Sequence, residues 1–349
     1  MCWALCRKVL ISNCYFIYEV KMKVAINGFG RIGRAVFKIA LEKGLDVVAV
    51  NDVHGVSDAE YLLKYDSVYG RYDKKVEIAG DDLIVGGKRI KVLIEKDPNK
   101  LPWKKMKVDV VIEATGAFVK GRKAEAHLKA GAKYVIVTAP IKDSKPDLTV
   151  VLGVNGEMIN KNTKLISVAS CTTNCLAPLV KVLNDSFGIE KSMFTTVHGY
   201  TSSQALVDGS ARKPARGRAA ALNIVPTTTG ASDAVFEVIP ELKGKIQGMA
   251  IRVPVAAGSL VDLTAELSRE VLVEEVIEEF KKAERKKMKG VLSCISEPLV
   301  STDIVGNPFS SIVAIPEIKV SGSMVKVLAW YDNEWGYSSR VVDVIKLLK

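Results

Sequence analysis

Three glycines, Gly28, Gly30 and Gly33, lie between the apolar run KVAIN at 23–27 and the stretch RAVFKIALEKG at 34–44. They constrain the fold more than any other feature. The run before them reads as a short buried strand. The stretch after them is apolar at Val36, Phe37, Ile39, Ala40 and Leu41, a helical spacing, and Gly44 supplies its stop. The run LDVVAV at 45–50 reads as the next strand and ends at Asn51-Asp52. A strand, a glycine turn, a helix and a strand within about 30 residues have the form of a nucleotide-binding half. In that form the glycines permit a tight turn, close approach of backbone to pyrophosphate, and close packing of helix on strand, while the helix start offers free N–H groups to phosphate. Asp52 follows Gly33 by 19 residues at a strand end. A carboxylate there accepts hydrogen bonds from ribose hydroxyls and repels a 2′-phosphate, so NAD or a close relative is the expected cofactor. The competing reading is a helix-capping glycine turn beside an unrelated aspartate.

Further strands are expected at 89–94, 109–113, 134–138 and 149–153, with a helix at 122–131. The alternation predicts a parallel, doubly wound sheet up to about residue 170. The pattern then changes. A helix over 175–186 is followed by a polar, basic loop at 208–218 and by strands with period-two alternation at 248–253, 258–268 and 324–332. The stretch 270–289 carries Glu274, Glu275, Glu278 and Glu279 early, then Lys281, Lys282, Arg285, Lys286, Lys287 and Lys289, with Gly290 as its stop. Acid first and base last complements a helix dipole, so this charge run reads as a solvated helix face. A last amphipathic helix is expected over 338–348. The chain's 349 residues suit two domains. The fold class is therefore α/β: a Rossmann-type doubly wound parallel sheet plus an α+β catalytic domain with a mostly antiparallel sheet.

Residues 1–21 are apolar enough to suggest a signal peptide, but Arg7, Lys8 and Asn13 interrupt the run and no small-residue cleavage site follows. They fall short of the roughly 18 apolar residues of a membrane span. The expectation is an extension dispensable for the fold. The competing reading is an export or anchoring segment.

Six cysteines are present, and three of them (Cys2, Cys6 and Cys14) lie in that extension. Cys171, Cys175 and Cys294 are too few and too irregular for a disulfide framework or a four-cysteine zinc site, and no metal site is expected. Reduced thiols are the simpler reading. Cys171 could be a small core residue, but Ser170, Thr172, Thr173 and Asn174 surround it with capping groups. A helix such as 172–186 would put Cys171 at its N-terminal end, where the dipole favours thiolate. Cys175, one turn deeper, reads as structural. Of three histidines, His54 and His127 are expected at the surface, and His198, closing a strand before a polar turn, is the candidate base for Cys171. A dinucleotide, a thiol and a base together suggest aldehyde oxidation through a thioester. The formal net charge of +11 favours anionic partners without choosing among metabolites, nucleic acid and acidic membrane. Thr201, Thr227, Thr228, Thr229, Gly230 and Arg252 are ingredients of a phosphate site. Arg212, Lys213, Arg216 and Arg218 read either as a solvated loop or as an anion funnel.

From Met22 onward the chain resembles the phosphorylating, NAD-type glyceraldehyde-3-phosphate dehydrogenases. The likeness rests on NGFGRIGR at 27–34, LLKYDSVYGRY at 62–72, SCTTNC at 170–175, HGYTSSQ at 198–204, RAAALNIVPTTTGA at 218–231, RVPV at 252–255 and YDNEWGYSSRVVD at 331–343. The resemblance implies an NAD-binding domain over 22–170 and 333–349 and a catalytic domain over 171–332. It implies that Cys171 forms a hemithioacetal and then an acyl thioester, with His198 as acid and base. Gly28, Gly30, Arg31, Ile32, Gly33, Asp52, Lys96, Thr115, Thr138, Asn333 and Tyr337 would line the cofactor pocket. Ser170, Thr172, Thr229 and Gly230 would hold inorganic phosphate, and Thr201, Arg252 and Arg216 the substrate's phosphate. The implied reaction oxidises glyceraldehyde 3-phosphate with inorganic phosphate to 1,3-bisphosphoglycerate, in glycolysis or gluconeogenesis. A cytoplasmic homotetramer is implied, with no membrane partner and no nucleic acid as the primary partner.

Four positions depart from the family's commonest pattern. Lys96 stands near the adenine where arginine is frequent, Ser203 replaces an aspartate and Ala215 an arginine. Ser210 replaces a proline typical of NAD-specific members, and members that also use NADP resemble this chain there. NAD is the expected main cofactor and NADP stays open. The nearest alternative is erythrose-4-phosphate dehydrogenase, against which the TTTG and HGYT segments speak. Aspartate-semialdehyde dehydrogenase is a more remote one. An RNA-binding module is the reading from another class, and it lacks a visible stacking surface or RNA motif.

Overall fold

The structure, a computed structural model, describes residues 22–348. The extension expected over 1–21, with its three cysteines, lies outside the described residues. The first half holds β1 (Lys23–Asn27), β2 (Asp46–Asn51), a ribbon of β3 (Tyr65–Asp66) and β4 (Gly70–Arg71), then β5 (Val76–Ala79), β6 (Asp82–Val85), β7 (Lys88–Leu93), β8 (Val110–Glu113), β9 (Tyr134–Val137), β10 (Leu148–Thr149) and β11 (Leu165–Ser167). Helices α1 (Arg31–Glu42), α2 (Gly55–Lys64), α3 (Trp103–Met106) and α4 (Ala126–Lys129) intervene. Nine strands form one sheet in the order β10-β11-β9-β8-β1-β2-β7-β6-β5. Every pairing from β10 to β7 is parallel, and the β7-β6-β5 edge is antiparallel.

β1 lies where the strand order reverses, between β2 and β8. In such sheets the crevice outside the carboxyl ends of the strands at this point is where ligands bind. Val24, Ala25 and Ile26 of β1 are fully buried, as are Val36, Phe37 and Ala40 of α1, so the strand and helix expected around the glycines pack on each other.

The second half begins with α5 (Cys171–Phe187) and continues through β12 (Ile189–Gly199), β13 (Val225–Thr228), α6 (Ala231–Val238), β14 (Ile246–Val253), β15 (Ser259–Leu267), α7 (Val273–Arg285), β16 (Leu292–Ile295), β17 (Ser311–Ala314), β18 (Lys319–Ser321) and β19 (Met324–Tyr331). Its sheet runs β13-β14-β12-β15-β19-β17-β16, with β18 paired to β19. Only β12-β14 and β16-β17 are parallel, so it is mostly antiparallel as expected. Helix α5 packs on this sheet. The final helix α8 (Trp335–Ile345) returns to α1, where Lys43 Nζ meets Asp343 Oδ1 at 2.6 Å. Among the described residues no helix is long and apolar enough to cross a membrane.

Several sequence expectations are corrected. The region before residue 94 is not purely parallel: β5 and β6 are four-residue strands, too short to show a period, and they add antiparallel to one side of the sheet. The strand expected at 149–153 is only Leu148–Thr149. Its apolar run bends at Gly153 (φ +82), and the Asn155 side chain caps the bend through Val151 N and Thr149 O, both at 2.9 Å. The helix of 270–289 is shorter, Val273–Arg285, because Lys286 leaves helical geometry and Met288 turns into the core at 2% exposure. The helix of 122–131 is a 3-10 turn, Lys123–Glu125, followed by the single turn α4. His127 is not a surface residue: it is fully buried, with one ring nitrogen on Trp103 Nε1 and the other on Glu113 Oε2, each at 3.0 Å. Partners for both nitrogens remove the usual cost of burying an imidazole.

A Cβ on Gly33 would stand 2.0 Å from the Gly28 carbonyl oxygen, whereas one on Gly30 would meet nothing within 4 Å. Gly33→Ala is therefore expected to lower stability by about 1–3 kcal/mol, the usual range for overpacking. Gly30→Ala is expected to stay within about 0.5 kcal/mol of the parent. Thermal and denaturant unfolding of the two variants checks the contrast.

Candidate active site

The site is built where α5 begins and β12 ends. Ala169 is held at φ +50, a left-handed conformation that is costly with a Cβ, and the turn it makes delivers Ser170 in extended form. Ser170 caps α5, its Oγ accepting from Thr173 N at 3.1 Å. Cys171 is thus the first residue of a 17-residue helix, partly exposed at the dipole's positive end. In β12 the period-two alternation turns His198 inward. The parallel register pairs His198 with Arg252 on β14, which sets the two side chains beside each other.

Cys171 Sγ lies 3.4 Å from His198 Nε2. His198 Nδ1 is 2.7 Å from the Gly199 carbonyl and 3.0 Å from Arg252 Nη1; the shorter contact, to an oxygen that only accepts, assigns the proton to Nδ1 and leaves the Nε2 lone pair facing the thiol. Arg252 Nη1 donates to the same carbonyl at 3.0 Å and to Thr201 Oγ1 at 3.3 Å. Burial, then Arg252 and less strongly Arg216, push the imidazole below its ordinary range. For the thiol, the sequence expectation of simple lowering is corrected. Burial pushes Cys171 up, while Arg252 and the Thr172 N–H pull it down. The pair suits a proton passing from sulfur to Nε2 as the sulfur attacks.

Two residues that sequence reasoning missed hold this geometry. The Tyr331 hydroxyl bridges Thr172 Oγ1 (2.9 Å) on α5 and Thr196 Oγ1 (2.8 Å) on β12. Ser259 Oγ accepts from Gly199 N at 3.1 Å and donates to Asn333 Oδ1 at 2.9 Å. Tyr331 opens the YDNEWGYSSRVVD stretch, but no local pattern gives either residue this role, because each joins segments far apart in sequence.

A cleft of about 270 Å³ gathers Arg31, Ile32, Thr138, Ser170, Cys171, His198, Thr201, Arg252, Asn333 and Tyr337. Thr172 is outside it, its hydroxyl being turned to Tyr331. Arg216, Thr229 and Gly230 are outside it too. Arg216 Nε donates to Thr227 Oγ1 at 3.0 Å, Thr229 Oγ1 accepts from Ala231 N at 3.2 Å, and Gly230 precedes α6. Cys175 is fully buried against Ser311 and the Ala329 carbonyl.

A second cleft, of about 350 Å³, is lined by Gly28, Gly30, Asp52, Lys96 and Thr115. The residues present fit a dinucleotide. Helix α1 starts at Gly30 with no side-chain cap, so its first N–H groups are free for phosphate. Gly30 leaves that approach open, and Gly28 (φ +93) could not carry a Cβ, which would come within 2.6 Å of Thr115 N. Asp52 accepts from Phe29 N at 2.7 Å and His54 N at 3.1 Å, and these two bonds leave carboxylate lone pairs for a ribose. Arg31 pairs with Asp66 at 2.7 Å and Glu334 at 2.5 Å, joining the start of α1 to the segment carrying Asn333. Among the described residues no group of three or more His, Cys, Asp or Glu is placed to hold a metal.

Comparison with known proteins agrees with this chemistry. The family profile for the glyceraldehyde 3-phosphate dehydrogenase NAD-binding domain matches residues 22–121, and that for the C-terminal domain matches 170–333. The chain is 51% identical over 335 residues to a glyceraldehyde-3-phosphate dehydrogenase of Borreliella burgdorferi, covering 94% of this chain and 99% of that protein. It is 52% identical over 326 residues to the enzyme of that name from Geobacillus stearothermophilus, covering 93% and 97%. The likeness to glyceraldehyde-3-phosphate dehydrogenase 2 of Bacillus subtilis is 51% over 330 residues, covering 94% and 96%.

Arg252 favours the thiolate, so Arg252→Gln is expected to move the pH profile of Cys171 alkylation upward. Each unit of that shift slows iodoacetamide labelling near pH 7 about tenfold. His198→Asn is expected to slow it as well, by removing the acceptor for the thiol proton. Timed labelling followed by peptide mass analysis reads both, and an unchanged rate in both variants would contradict the pairing.

Proposed function

The chain belongs to the glyceraldehyde 3-phosphate dehydrogenase family, and from that premise we propose that it oxidises glyceraldehyde 3-phosphate, with NAD and inorganic phosphate, to 1,3-bisphosphoglycerate. The observation that carries the reading is the 3.4 Å approach of Cys171 Sγ to an acceptor nitrogen of His198, with Arg252 and Thr201 in the same cleft. Cys171 attacks the aldehyde carbon while His198 Nε2 takes the thiol proton and returns it to the carbonyl oxygen, giving a hemithioacetal. NAD, if bound, would supply the two-electron acceptor that oxidation of this adduct to a thioester requires. His198 then accepts the hydroxyl proton, so oxidation leaves no stranded charge. Inorganic phosphate attacks the acyl carbon and releases its own proton to solvent, the C–S bond breaks, and the thiolate recovers its proton from His198.

Arg252 and Thr201 are assigned to the substrate's phosphate, with Arg216 adding positive potential. Ser170, Thr172, Thr229 and Gly230 are assigned to the incoming phosphate. Because the Thr172 hydroxyl is engaged by Tyr331, that residue's part is its backbone N–H at the helix start. Gly28, Gly30, Arg31, Ile32, Gly33, Asp52, Lys96, Thr115, Thr138, Asn333 and Tyr337 would hold NAD, with Asn333 at the carboxamide. The division into a cofactor domain of 22–170 with 333–349 and a catalytic domain of 171–332 fits the two sheets. A cytoplasmic homotetramer is also proposed. Self-association of the chain is supported by the large apolar side chains Leu206, Val207, Leu222 and Ile224, each at least 70% exposed on the 205–224 segment.

The test is NAD reduction with glyceraldehyde 3-phosphate, with and without inorganic phosphate, and with erythrose 4-phosphate as the rival substrate. Cys171→Ala is expected to lose essentially all turnover, at least about 10³-fold, while keeping NAD affinity; near-normal turnover would exclude it as nucleophile. Asp52→Ala removes the charge that repels a 2′-phosphate. It is expected to raise the NADP to NAD ratio of kcat/KM by about tenfold or more, read in steady state with both cofactors.

A further inference from the structure

Beneath the cofactor cleft runs a chain of buried polar side chains that the reaction does not use. Trp103 Nε1 donates to His127 Nδ1 at 3.0 Å, so Nδ1 is the accepting nitrogen and Nε2 carries the proton. Nε2 donates to Glu113 Oε2 at 3.0 Å, and Asn27 Nδ2 donates to the same oxygen at 2.6 Å. Glu113 Oε1 accepts from Thr115 N at 2.8 Å and from the Thr115 hydroxyl. Asn51 Nδ2 donates to Asn27 Oδ1 at 2.6 Å and to the Glu95 carbonyl at 2.8 Å, and Glu95 N donates back to Asn51 Oδ1 at 2.9 Å. Glu113, Asn27 and Asn51 are each the last residue of a strand, β8, β1 and β2, and Glu95 follows β7 closely. The chain therefore crosses the carboxyl ends of four neighbouring parallel strands.

Its ends reach both walls of the cleft that holds Asp52. Thr115 is on one wall, and Glu95 with Lys96 on the other. Glu113 is 1% exposed and its carboxylate receives four donors, which together replace the water that a buried anion loses. Each donor it binds is thereby fixed in place, and Thr115 is held by two of them.

We propose that Glu113 is a positioning residue for the cofactor, setting the spacing of the two walls through Thr115 on one side and the Asn27–Asn51 pair on the other. The inference rests on the cofactor reading above and deepens it. Glu113 touches neither substrate nor nucleotide; it acts by holding groups that do.

Glu113→Gln tests this, because an amide must turn an N–H toward one of the four donors. In the full chain, the NAD dissociation constant by calorimetry and the KM for NAD are each expected to rise roughly tenfold. The kcat at saturating NAD should stay within about twofold. The Thr115 amide should exchange hydrogen faster in protein without added NAD. Should Glu113→Gln fail to fold, His127→Leu removes one donor and is expected to weaken NAD binding in the same direction. His127→Gln, whose amide can both accept from Trp103 and donate to Glu113, should restore it. A lower Tm with an unchanged NAD dissociation constant in the folded variants would leave only a structural role and overturn the proposal. Failure of the parent chain itself to bind NAD would instead bring down the cofactor reading, and this inference with it.

Discussion

The hydroxyl of Tyr331 stands between Thr172 and Thr196, at 2.9 and 2.8 Å, and the approach of Cys171 to His198 depends on it. Thr172 belongs to the first turn of α5 and Thr196 to β12, so one phenol at the end of β19 ties the helix that carries the sulfur to the strand that carries the imidazole. Tyr331 is 1% exposed and its ring lies edge-on to His198, with centroids 6.0 Å apart, which leaves the pair little room to separate. A thiol and an imidazole held this way need no reorganisation before proton transfer.

The cofactor side follows the same design: side chains at the ends of strands, held by bonds between segments distant in sequence. Both clefts open at the carboxyl edge of the parallel sheet, on either side of the glycine turn. Arg31, in the first cleft, pairs with Glu334, one residue beyond Asn333, and with Asp66 of β3. Ser259 joins Asn333 to Gly199, next to His198. The proposed nicotinamide contact and the proposed base therefore share one hydrogen-bonded frame, and movement of either would be felt by the other.

What the sequence made legible is what a few consecutive residues determine. The Gly28–Gly33 turn, the Ser170 cap before Cys171 and the strand-ending His198 are local patterns, and each lies where its pattern implied. The long-range partners were not legible. Nothing near Tyr331 announces Thr172, which is 159 positions away. His127 misled for a related reason: Trp103 and Glu113, which make its burial favourable, come from other elements. Strands β5 and β6 escaped because four residues each, VEIA and DLIV, are too few to show a period. The thiol's electrostatics were half legible, since a helix start is visible in sequence but burial is not.

The central claim is that carbon is oxidised while bonded to Cys171. The direct measurement is mass analysis of the protein incubated with glyceraldehyde 3-phosphate and NAD in the absence of inorganic phosphate. The account predicts one phosphoglyceroyl group on the peptide containing Cys171, formed as NAD is reduced and released when phosphate is added. NAD reduction with no acyl group on Cys171, or with the acyl group on Cys294 instead, would contradict it.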